Sequence, residues 1–66
     1  MATIRLYNDY GGAHYECNTP RSLRIVLNKA FKYNLQFEII RGTEYSWVHQ
    51  CIKNWREDTN QYEEIA

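Results

Sequence analysis

The chain has 66 residues, 44% hydrophobic and 24% charged, with eight Lys and Arg against eight Asp and Glu. Such a length admits a single domain with one small core, burying only about 60% of the unfolded surface, and the composition excludes a low-complexity or fibrous chain. No run of roughly 20 apolar residues and no basic-then-apolar leader is present, so neither membrane spanning nor secretion is expected.

The neutral sum hides an uneven distribution. Residues 1–17 carry Arg5 against Asp9 and Glu16. Residues 18–41 carry Arg21, Arg24, Lys29, Lys32 and Arg41 against Glu38 alone, whereas residues 42–66 carry Lys53 and Arg56 against Glu44, Glu57, Asp58, Glu63 and Glu64. Segments of +4 and −3 held apart by a fold give a positive and a negative surface, which set what can approach.

Thr3 to Tyr7 and Ala13 to Cys17 alternate apolar and polar around Asn8-Asp9-Tyr10-Gly11-Gly12, which predicts a β-hairpin. Ile4, Leu6, Ala13, Tyr15 and Cys17 would face the core. Thr3, Arg5, Tyr7, His14 and Glu16 would face outward, with Arg5 and Glu16 paired across the strands.

Thr19-Pro20 is a helix start, Thr19 capping and Pro20 at the first helical position, where its missing N–H costs nothing. Leu23, Val26, Leu27, Ala30 and Phe31 follow at i, i+3, i+4, i+7 and i+8, predicting an amphipathic helix over about 20–33. Asn34 suits the left-handed residue after it. Leu35 to Arg41 reads as a strand stopped by Gly42, and strand, helix and strand with short links form a crossover onto a parallel neighbour.

Beyond Gly42, Trp47, Val48, Cys51, Ile52 and Trp55 keep an apolar arc over three turns. They predict a second helix over about 44–57 with Thr43 as its cap, in preference to a fourth strand over 45–50. Residues 58–66 read as a frayed acidic tail of the single domain. The expected fold is thus a small α+β sandwich in the order ββαβα, its two helices on one face of a three-stranded sheet.

Few constellations carry chemistry. His14, Cys17, His49 and Cys51 are zinc-ligand types, but on a strand His14 and Cys17 point oppositely, and on a helix His49 and Cys51 are about 200° apart. No metal site is expected, and the thiols read as small core residues rather than activated nucleophiles. Asp9-Tyr10-Gly11-Gly12 leads into a strand, not into a helix N-terminus as a phosphate loop would. Glu57-Asp58 and Glu63-Glu64 are adjacent only in sequence, and neighbouring side chains on a helix diverge. The chain therefore reads as non-catalytic, without a cofactor and, with two thiols and no leader, as cytoplasmic.

One surface stands out. On the first helix, Arg21, Arg24, Asn28 and Lys32 fall within roughly 80° of one another, with Ile25 beside them. A basic stripe around an exposed apolar residue, with Tyr and Trp abundant elsewhere, suits a protein partner. Tyr7, Tyr10 and His14 on the hairpin are second candidates. The expected function is a protein-binding module, a stoichiometric inhibitor or adaptor, acting as monomer or homodimer. The alternative is a small nucleic-acid-binding regulator using the same stripe, against which stands a pI near 6.7. In size and in its Asn-, Tyr- and Ile-rich composition with a single Pro, the chain resembles the small proteins that phages encode to bind and inhibit host machinery.

Overall fold

The structure, a computed structural model, describes residues 1–59. Strands β1 (Ala2–Asn8) and β2 (Gly11–Cys17) form the expected hairpin, in register from Ala2 opposite Cys17 to Asn8 opposite Gly11. The loop is tighter than the five residues expected, consisting of Asp9 and Tyr10 alone. The Tyr10 N–H donates to the Asn8 side chain at 2.8 Å, and Gly11 rather than a loop residue takes the positive φ, 139°, which costs a glycine little. The register separates the expected Arg5–Glu16 pair by setting Glu16 opposite Thr3 and Arg5 opposite His14. Arg5 instead bonds Glu38 on its other flank at 2.9 Å.

Helix α1 (Pro20–Lys32) starts as the sequence predicts. The Ser22 N–H donates to Thr19 Oγ1 at 3.2 Å, and the Thr19 N–H donates back to Ser22 Oγ at 3.1 Å, a reciprocal cap in which Ser stands where Glu or Gln is usual. Leu23, Val26, Leu27 and Ala30 are buried. Phe31 departs from the expectation and is 56% exposed, because it lies about 80° round the helix from Leu23, past the arc of about 100° that the other four occupy. At the far end Asn34 takes φ 56°, the Leu35 N–H reaches the Ala30 carbonyl at 2.8 Å and the Asn34 N–H the Phe31 carbonyl at 3.3 Å. That paired closure satisfies two carbonyls of the last turn.

Strand β3 (Gln36–Arg41) pairs antiparallel with β1, giving the strand order β2-β1-β3. The crossover through α1 therefore lands one strand further than expected. β3 is parallel to β2, but β1 lies between them. The reason lies in β1, whose Ala2, Ile4 and Leu6 are all buried and which takes the central position with both edges paired. Between Thr3 and Ile4 the ladder slips, so Ile40 has no residue opposite it and is 49% exposed, as an extra bulge residue is.

Gly42 turns the chain with φ 105° and backs against Ala2, where an added Cβ would come within 2.9 Å of the Ala2 Cβ. The Tyr45 N–H closes this turn on the Gly42 carbonyl at 3.1 Å. Thr43 and Glu44 are consumed by it, so helix α2 (Ser46–Asp58) starts later than expected, with Tyr45 rather than Thr43 in the cap position. Thr43 contributes its carbonyl instead, 2.6 Å from His49 Nε2; a carbonyl only accepts, so that nitrogen carries the proton. The strand alternative for 45–50 is not what the chain adopts. Asp58 ends α2 rather than opening a frayed tail, and the rest of the expected tail, 60–66, lies outside the described residues.

Val48, Cys51, Ile52 and Trp55 of α2 join the buried face of α1 against Ile4, Leu6 and Cys17, so both helices cover the same side of the sheet, as expected. The Phe37 and Trp55 rings meet edge to face at 5.8 Å. Ala13, expected inside, is exposed, because the start of β2 runs out past the cover of the helices and only Cys17 at its end is sealed. Among the described residues nothing covers the other side of the sheet, which presents Thr3, Arg5 and Tyr7 from β1 with His14 and Glu16 from β2 and Glu38 from β3.

Candidate functional site

The two helices touch along one seam, and the outer side of that seam is a groove of about 410 Å³ lined by Pro20, Arg21, Arg24, Ile25, Asn28, Cys51 and Asn54. The sequence dictates the α1 wall. Because Leu23, Val26 and Leu27 turn inward, Arg21, Arg24, Ile25 and Asn28 are left on the outer side. Arg21 is exposed and Ile25 is 62% exposed. Four of the five stripe residues therefore meet at one concave place. Lys32 continues the same line one turn on, with its Nζ 5.4 Å from the Tyr33 ring centre.

The α2 wall was not legible in the sequence. The Cys51 thiol donates to the Pro20 carbonyl at 3.3 Å, a second donor to a carbonyl in the first turn of α1. Asn54 stands three residues on and accepts from the Gln50 side chain at 3.0 Å. Asn28 is more than a surface amide: its Oδ1 accepts from the indole N–H of Trp55, which is 2% exposed, at 3.1 Å. A buried indole N–H needs such an acceptor. The Gln50–Asn54 pair follows from i,i+4 spacing within α2, whereas nothing in the spacing of either helix predicts Cys51–Pro20 or Trp55–Asn28, which depend on how α1 and α2 pack.

Arg24 pairs with Asp58 of α2. Of the two arginines in the groove, Arg21 makes no ion pair among the described residues and Arg24 is partly neutralised.

The second-choice residues lie elsewhere. Tyr10, at the hairpin tip, is 97% exposed. Tyr7 and His14 are on the bare face of the sheet, with the Arg5 guanidinium 4.5 Å from the Tyr7 ring centre. The helices and the bare sheet are opposite sides of a molecule only 17 Å thick in its shortest dimension, so the stripe and the hairpin rings do not form one surface.

Both thiols are buried and free. Burial pushes Cys17 and Cys51 up from the ordinary thiol range. A hydrogen bond with Ser22 partly offsets this for Cys17, and the Arg24 charge does so for Cys51, so both are protonated at neutral pH. His14 on the bare sheet face, Cys17 in the core, His49 on the Thr43 carbonyl and Cys51 on the seam are not brought together. Among the described residues, no three His, Cys, Asp or Glu side chains cluster as metal ligands would. No helix among them is long and apolar enough to cross a membrane. Comparison with protein-family models, curated proteins and solved structures gave no match.

Proposed function

We propose that the protein is a non-catalytic binding module, a stoichiometric inhibitor or adaptor, whose α1–α2 groove takes an acidic segment of another protein that carries an apolar side chain. The observation that carries this reading is Ile25, 62% exposed on the same wall of the groove as Arg21 and Arg24. Exposed Arg around a desolvable apolar centre is the composition of a recognition patch, and its charge selects carboxylates. The two free buried thiols fit a reducing compartment such as the cytoplasm.

The nucleic-acid alternative is less well supported, because the rings that would stack on bases, Tyr7 and His14, lie on the layer opposite the arginines. Both readings are separable by titration. A labelled peptide of alternating Glu and Leu should bind at low salt, and Arg21→Glu with Ile25→Asp should weaken it at least about tenfold, about 1.4 kcal/mol, with an unchanged melting curve because both residues are exposed. Equal binding by the double variant removes the groove from consideration. Salt-dependent retention on duplex DNA without peptide binding would favour the alternative.

A further inference from the structure

We propose that β2 is a homodimerisation edge: two copies pair their β2 strands antiparallel about a two-fold axis through His14, joining two three-stranded sheets into one of six strands. Among the described residues no strand lies outside β2. The two-residue loop closes on the Asn8–Gly11 pair, and hydrogen-bonded pairs alternate from there. Gly11, Ala13, Tyr15 and Cys17 therefore bond to β1. The N–H and C=O groups of Gly12, His14 and Glu16 point the other way, into solvent.

This edge lacks the usual protection. Exposed edges are blunted by Lys, Pro, bulges or shortness, and β3 on the other side of the sheet has its bulge at Ile40 and ends in Arg41. β2 has seven residues in unbroken register and contains neither Lys nor Pro.

Its sequence is complementary to itself in one register. With His14 opposite His14 of the partner subunit, all three outward residues find hydrogen-bonding places at once: His14 with the partner's His14, Gly12 with the partner's Glu16, and Glu16 with the partner's Gly12. A slip of two residues loses part of this set. On the helix side of the sheet the same register sets Ala13 opposite the partner's Tyr15. Ala13 is exposed and Tyr15 half-buried, so a small residue meets a large one twice and the uncovered start of β2 gains a lid.

On the bare side, the partner's Glu16 comes beside Gly12, which has no side chain of its own. Arg5 leans into that space, its Nε 3.3 Å from where a Gly12 Cβ would stand. Glu16 has no ionic partner among the described residues, so the pairing brings an unpaired carboxylate beside the Arg5 guanidinium, which bonds Glu38 through one of its nitrogens. The occupant of the edge is therefore a second copy of this chain rather than an arbitrary strand. The helix groove stays open in the dimer, and the inference does not depend on its function.

Sedimentation equilibrium of the full chain tests the proposal. Pairing along one strand edge is expected to bury less than the roughly 1,200–2,000 Å² of standard complexes, and weak association is expected, with a dissociation constant of about 10 µM–1 mM. The mass should rise above 8.0 kDa toward twice that value across this range. The amides of Gly12, His14 and Glu16 should become slow to exchange with rising concentration, and other β2 amides should not change. His14→Pro removes an outward N–H that β1 does not use, and Ala13→Glu puts a charge opposite the partner's Tyr15; each should restore a monomer with an intact melting transition. A chain still monomeric at 1 mM overturns the proposal. So does a dimer that leaves those three amides unprotected, or one that survives Ala13→Glu while folded.

Discussion

Arg24, which lines the groove from the middle of α1, pairs with Asp58, the last residue of α2. Their side chains remain 39% and 56% exposed, so the pair contributes at most about 1 kcal/mol to folding. Its larger effect is on availability, because any acidic ligand of the groove competes with Asp58 for the guanidinium.

Asp58→Asn should therefore separate stability from binding. Urea unfolding should shift by less than about 1 kcal/mol, while the Glu-Leu peptide binds several-fold more tightly at low salt. Binding that is unchanged or weaker would mean that Asp58 does not compete for the site.

Asn28 links the site to the core through Trp55. Asn28→Ala leaves a buried indole N–H without its acceptor and should cost about 1–2 kcal/mol. Denaturant unfolding followed by Trp fluorescence reads this directly. A loss below about 0.3 kcal/mol would show that water replaces the amide at no cost.

Two glycines with positive φ should respond differently to alanine. At Gly11 no atom stands within 4 Å of an added Cβ, whereas at Gly42 the Ala2 Cβ is 2.9 Å away and its Cα 3.0 Å. Gly11→Ala bears only backbone strain, on the order of 1 kcal/mol, while Gly42→Ala adds a steric conflict and should lose about 3 kcal/mol or more. Equal melting temperatures for the two variants would contradict the close approach of Gly42 to Ala2.

The buried thiols make stability fall at alkaline pH. Each is held protonated in the fold by burial, so between its unfolded and folded pKa values the unfolded chain binds fewer protons. Stability is then fully present below roughly pH 8.5 and declines as the pH rises beyond it, by about 1.4 kcal/mol per pH unit for each thiol. Cys17→Ala with Cys51→Ala should flatten the decline. An equally steep decline without the thiols would assign it to other groups.

What the sequence reveals depends on the range over which each signal acts. Thr19, Pro20 and Asn34 set both ends of α1 through contacts within five residues, and these are readable in order along the chain. Strand order is not, because the alternation of Gln36 to Arg41 is the same whichever neighbour β3 pairs with. Phe31 and Ala13 carry core-type patterns, yet they lie where the opposing layer runs out. The stripe from Arg21 to Lys32 follows from helical spacing alone. That Cys51 and Asn54 complete a groove around it, and that Asp58 occupies Arg24, is decided by the packing of a helix more than twenty residues away.

Of the three strands, the earliest in sequence is the one that ends in the middle of the sheet. Ala2, Ile4 and Leu6 have their second neighbour only when residues 36–41 arrive, and their cover is finished only by Val48, Ile52 and Trp55. During synthesis, β1 and β2 must therefore wait, with one backbone edge unpaired and the apolar side only partly covered by α1, until β3 and α2 have emerged. Long-range closure of this kind slows folding. It also makes the protein all-or-none: shortening it from the C-terminal end into α2 removes the seal from its first residues rather than trimming an appendage.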